Sequence, residues 1–84
     1  MVSGAVKFNA SKYNQMTPQQ RAGHLLEIGV EAKLDINPEA LKPGYVAHVI
    51  GVGKLLACGY HESEQAAIKA GNDWLREKAN APNA

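Results

Sequence analysis

One cysteine, Cys58, stands alone in the chain. No internal disulfide can form, so packing must hold the fold, and an unpaired thiol suits a reducing compartment. The expected location is the cytoplasm. No apolar run approaches the ~18 residues that cross a bilayer. The opening stretch MVSGAVKFNASKYNQ also lacks the apolar centre of a secretory leader, so no membrane partner is expected. Charge of one sign is missing too: nine Lys+Arg stand against eight Asp+Glu, with no block of like charge. The sequence pI of about 7.9 lies below the value above about 9 that is usual for nucleic-acid-binding domains.

Metal and catalytic spacings are absent as well. No CxxC or HxxxH pair occurs to hold zinc. Glu27 and Glu31 lie one helical turn apart, the pattern of a solvated face and not of an acid–base pair. Gly51-Val52-Gly53-Lys54 resembles a phosphate loop only in its glycines. Leu55 follows the lysine where Ser or Thr is needed, and a strand pattern follows in place of a helix. Cys58 and His48 would make a nucleophile–base pair only with a third group to orient the imidazole, and no acid lies at a supporting spacing. No enzyme activity, cofactor or metal is expected, and a buried cysteine beside a satisfied histidine accounts for that pair.

What remains is a globular balance. The 84 residues are 45% hydrophobic and 20% charged, enough for a single domain across residues 1–84. Val6-Lys7-Phe8-Asn9 alternates with period two, so residues 1–16 read as an N-terminal arm or edge strand. Thr17-Pro18-Gln19-Gln20 is a helix start: a hydroxyl cap, a proline at the first helical position, and a glutamine placed to reach back. The spacing of Ala22, Leu25, Leu26, Gly29 and Ala32 predicts a helix from Pro18 to about Lys33. Asn37-Pro38 starts a single helical turn, and Lys42-Pro43-Gly44 reads as a break.

Tyr45–Ile50 and Lys54–Tyr60 are rich in Val, Ile, Leu and Tyr and flank Gly51-Val52-Gly53, the pattern of a hairpin. Pairing Ile50 with Lys54 sets Tyr45 opposite Gly59, an aromatic ring over a strand glycine. One face then carries Val46, His48, Ile50, Leu56, Cys58 and Tyr60, and the other is also largely apolar. Ser63 caps a second helix to about Lys78, with Glu64 in its first turn and Arg76 and Lys78 in its last. Its small residues Ala67, Ala70 and Gly71 allow close approach, and Trp74 beside Leu75 reads as core. Residues 80–84 form a tail. The expected fold is α+β in the order β-α-β-β-α, an antiparallel hairpin against two helices.

Pro43-Gly44-Tyr45, followed by Ser63, Ala67, Ala70, Gly71 and Leu75, resembles the closing β-β-α part of double-stranded RNA-binding domains in strand entry and helix spacing. The resemblance covers less than half the chain. That family's lysine pair after the serine is Glu64-Gln65 in this sequence, and phosphate contacts of that kind supply most of the affinity. Two functional readings follow. The favoured one is a non-enzymatic regulatory protein, an inhibitor or accessory factor of bacterial or phage type. It would dock through Val46, His48, Ile50, Leu56, Cys58 and Tyr60 onto another protein or onto a second copy as a homodimer. The alternative is a nucleic-acid-binding module of RNA-binding-domain-like packing whose lysines converge on one face.

Overall fold

A computed structural model of the chain describes residues 8–81. The α+β class holds: a four-stranded antiparallel sheet carries helices on one side. A short helix, α1 (Ala10–Gln15), comes first, where an arm or edge strand was expected; residues 1–7 of that stretch lie outside the described part. Asn9 caps it, its side-chain oxygen accepting from the Lys12 N–H at 3.1 Å.

Helix α2 (Pro18–Ile28) begins on the expected capping box. Thr17 Oγ1 accepts from the Gln20 N–H at 3.2 Å, and Gln20 Oε1 accepts from the Thr17 N–H at 2.9 Å. Two otherwise unpaired backbone donors are thereby satisfied. Thr17→Ala is expected to cost about 1 kcal/mol, read as a lower urea midpoint at unchanged m-value.

The helix stops at Ile28, short of the expected Lys33. Gly29 closes it with φ 111°, its N–H returning to the Leu25 carbonyl. That dihedral is open to glycine and closed to most L residues. The chain then runs straight into β1 (Val30–Asn37), which pairs over its whole length with β2 (Lys42–Val49), from Val30 opposite Val49 to Asn37 opposite Lys42. The supposed break at Lys42-Pro43-Gly44 is therefore strand. Asn37–Leu41 between them makes the expected single turn, in which Asn37 Oδ1 accepts from the Glu39 N–H at 3.0 Å.

The hairpin expected after Tyr45 forms with a different register. Gly51 (φ 71°) turns the chain, but Lys54 pairs with His48, not Ile50. Only β3 (Gly53–Lys54) pairs before the chain coils into a 3₁₀ turn at Leu56–Cys58. Strand β4 (Tyr60–His61) then resumes pairing with β2, Tyr60 opposite Val46 and His61 opposite Tyr45. The aromatic-over-glycine contact exists with other partners: Tyr60 lies against Gly44, where an added Cβ would come 3.1 Å from the Tyr60 Cβ.

Helix α3 (Glu64–Ala79) follows the Ser63 cap, whose Oγ accepts from the Ala66 N–H. It lies across β1 and β2 with Gly71 at the closest point. Ala22, Leu25, Ile28, Val49 and Leu75 form the core between the helices and this sheet face. Trp74 packs partly buried against that cluster, as core. Among the described residues, no helix is long and apolar enough to cross a membrane.

Candidate docking surface

The sheet has two unlike faces. Because side chains alternate along a strand, the Gly71 contacts with Val30 and Ala47 assign Val30, Ala32, Leu34 and Ile36 of β1 to the helix side, with Tyr45, Ala47 and Val49 of β2. Glu31, Lys33 and Asp35 point to the other side, with Val46, His48 and Lys54.

On that open face Lys54 Nζ donates to Asp35 Oδ2 at 2.6 Å. The two residues stand opposite His48 and Gly44 respectively, so the bridge runs diagonally across β2 above Val46. Val46 is 0% exposed under this bridge and beside Tyr60. The Lys54 ammonium holds the Asp35 carboxyl below its ordinary range, helped by the Ile36 N–H that donates to Asp35 Oδ1. Partial burial lowers the His48 pKa, and the neighbouring Lys33 and Lys54 add to the effect.

The six residues expected to form one docking face are therefore separated. Val46 is core, His48 and Tyr60 are half-buried on the open face, and Ile50 and Leu56 are exposed at the β2–β3 turn and the 3₁₀ turn. Cys58 lies on the helix side, its Sγ 3.7 Å from the Ala70 carbonyl. His48 points away from that side, so the two do not share a face, and His61 is the imidazole near Cys58, with Nε2 2.7 Å from the Cys58 carbonyl oxygen. Burial pushes the Cys58 thiol up, away from the thiolate. Iodoacetamide at pH 8 is expected to alkylate Cys58 several-fold more slowly than glutathione, with the difference lost in 6 M guanidinium, as followed by intact mass.

Three exposed apolar side chains lie toward the far end of the β1–β2 hairpin, while Ile50, Val52 and Leu56 are exposed around the β2–β3 and 3₁₀ turns. Leu34 is 62% exposed and Ile36 56%, both on the helix side of β1 where α3 no longer covers the sheet. Leu41, in the connecting turn, is 81% exposed. Its φ of 54° is the sole positive value at a non-glycine position among the described residues. A left-handed conformation costs a side-chain-bearing residue roughly 1–2 kcal/mol, and the following position after one helical turn is where glycine is ordinarily found.

Several of the described cations have acidic or aromatic neighbours. Lys54 is held by Asp35, Lys69 and Arg76 share Asp73, and Lys33 lies 3.9 Å from Glu31. Arg21 donates to the Tyr13 and Asn14 carbonyls and stacks over the Tyr13 ring at 5.2 Å. Lys78 sits 5.5 Å from the Trp74 ring centroid one turn away on α3, and both line an open groove of about 290 Å³ between α2 and α3. Among the described residues no group of His, Cys, Asp or Glu is arranged to hold a metal ion. Compared with protein-family models, curated proteins and solved structures, the chain matches none of them.

Proposed function

We propose that the protein is a non-enzymatic binding protein, an inhibitor or accessory factor that works by docking the end of its β1–β2 hairpin onto another polypeptide. The observation that carries this reading is the uncovered trio Leu34, Ile36 and Leu41. Apolar side chains brought together outside the core mark interaction sites. Leu41 adds a second strand of argument, since a strained backbone at an exposed bulky residue is retained where something other than stability requires it.

The pairing of Lys54 with Asp35 and of Lys69 with Asp73, and the acidic Glu62-Ser63-Glu64 leading into α3, weigh against nucleic acid, whose phosphates need several unpaired cations on one face. The test is site-specific photo-cross-linking. Benzoylphenylalanine at Leu34 or Leu41 should give discrete adducts in the native host, and the same probe at the exposed Glu27 of α2 should give none. An equal pattern from all three positions, or no adduct from any, overturns the proposal.

Leu41→Gly separates strain from function. Relief of the left-handed strain, less the entropy glycine adds to the unfolded chain, should raise stability by up to about 1 kcal/mol. Adduct yield from a probe at Leu34 should fall in the same variant. Urea titration and cross-linking measured side by side check both halves.

A further inference from the structure

The uncovered hairpin belongs to a strand with a free edge, and resting on the docking reading, we infer that its partner is a second copy of this chain, joined β1 to β1 in antiparallel pairing. Among the described residues, strand β1 bonds only to β2. Its eight residues pair in continuous register without a bulge or a proline. Natural edges are usually blunted by such devices, and a long unbroken edge pairs with another.

The hydrogen-bond directions define what that edge offers. The Leu55 N–H donates to the Ala47 carbonyl, while the Ile50 N–H donates to the Gly29 carbonyl. Odd-numbered residues of β2 thus direct their backbone toward β3, and even-numbered ones toward β1. Their partners Glu31, Lys33, Asp35 and Asn37 bond to β2. The amides and carbonyls of Val30, Ala32, Leu34 and Ile36 point outward, away from the sheet. Only the Ile36 N–H has a local acceptor, Asp35 Oδ1 at 2.8 Å.

Charge chooses among the twofold registers that match these outward groups. Centring the pair on Lys33 sets Lys33 against Lys33 and Glu31 against Asp35, a row of like charges that is destabilising. Centring it on Leu34 sets each Lys33 opposite the Asp35 of the other copy, and each Ile36 opposite Ala32. The two exposed Leu34 side chains then meet on the helix side, and Ile36 exchanges its Asp35 acceptor for the Ala32 carbonyl of the second copy. Centring on Ala32 also pairs opposite charges, Glu31 with Lys33, but leaves Ile36 outside the overlap. The Leu34-centred register covers both exposed side chains with a self-complementary row of charge.

Sedimentation equilibrium of the full chain should show a monomer–dimer equilibrium in the micromolar range. Leu34→Pro removes an N–H that bonds nothing within the sheet, so it should abolish the dimer while far-UV circular dichroism stays unchanged. In a Cys58→Ser background, Leu34→Cys should oxidise to a covalent dimer, because directly opposed residues stand about 5.5 Å apart between Cα atoms. Ile36→Cys should not. Efficient linking through Ala32→Cys in place of Leu34→Cys overturns the register. A monomer at every concentration up to 200 μM overturns the self-pairing. If Leu34 probes still cross-link to a different polypeptide in that case, the docking reading stands without this inference; if no probe gives any adduct, both fall.

Discussion

Replacing Gly71 with alanine is expected to destabilise the protein, although alanine is the better helix former by about 1 kcal/mol. Gly71 sits in the middle of α3, fully covered by the sheet. A Cβ built there comes 2.8 Å from the Ala47 Cβ and 2.8 Å from the Val30 Cγ1. Carbon atoms prefer roughly 3.5–4.0 Å, so something must move. Ala47 has no rotamer to change; its Cβ shifts only with the backbone of β2. The strand is fixed on both sides, by β1 and by β3 and β4, so the helix must rise instead. Lifting α3 loosens Leu75, which is 1% exposed. Overpacking of this kind costs typically about 1–3 kcal/mol, which exceeds the propensity gain. Gly71→Leu carries more volume into the same gap and is expected to remove cooperative unfolding altogether. Urea titration followed by Trp74 fluorescence reads both. A Gly71→Ala variant as stable as the parent would mean that the helix and sheet stand farther apart than this geometry has them.

That glycine illustrates what the residue order discloses and what it hides. The small stripe Ala67, Ala70 and Gly71 announces close packing, and a helix start is written in Thr17-Pro18-Gln19-Gln20, because caps and small residues act through neighbours a turn away. The stop of α2 is harder to read. Val30, Ala32, Leu34 and Ile36 alternate with Glu31, Lys33 and Asp35 at the strand period. Yet Gly29 and Ala32 also continue the helical stripe that begins at Ala22. Two periodicities overlap for four residues, and the positive φ at Gly29 decides between them. Strand pairing then pulls Pro43 into β2, which no local preference favours. It is tolerated because its missing N–H would point to the side where β4 has already ended. The point at which β4 rejoins β2 depends on the three-residue 3₁₀ turn Leu56–Cys58, beside which Leu55 and Cys58 pack against α3. The separation of Val46, His48, Ile50, Leu56, Cys58 and Tyr60 has the same origin. Both faces of Tyr45–Ile50 are apolar, but one lies under the helices and the other under a bridge between Asp35 and Lys54, residues 19 apart in sequence.

The sharpest contrast lies between two apolar residues of adjoining strands given the same substitution. Val46→Asp is expected to unfold the protein, and Leu34→Asp to leave its stability nearly unchanged. Val46 is 0% exposed, with Tyr60 beside it on one side and Lys33 opposite it on the other, and a carboxylate there would compete with Asp35 for the Lys54 ammonium. Desolvating a carboxylate at a fully buried position costs several kcal/mol, and the exposed Lys33 opposite it returns only part of that, against the ~4–12 kcal/mol that a chain of this length holds in total. Leu34 is 62% exposed and loses little when made polar, within about 0.5 kcal/mol as for surface positions generally. Its loss appears in association instead. Two aspartates would face each other at the centre of the β1–β1 pairing, and like charges directly opposed disfavour it. Thermal melts of both variants, with sedimentation of the Leu34→Asp form, test the pair of expectations together. A stable Val46→Asp variant would mean that the open face is not closed by the Asp35–Lys54 bridge. A Leu34→Asp variant that unfolds would place Leu34 in the core and leave the hairpin end without its exposed apolar surface. Fold intact and association lost is the combination that locates the function of this chain on the edge of its first strand.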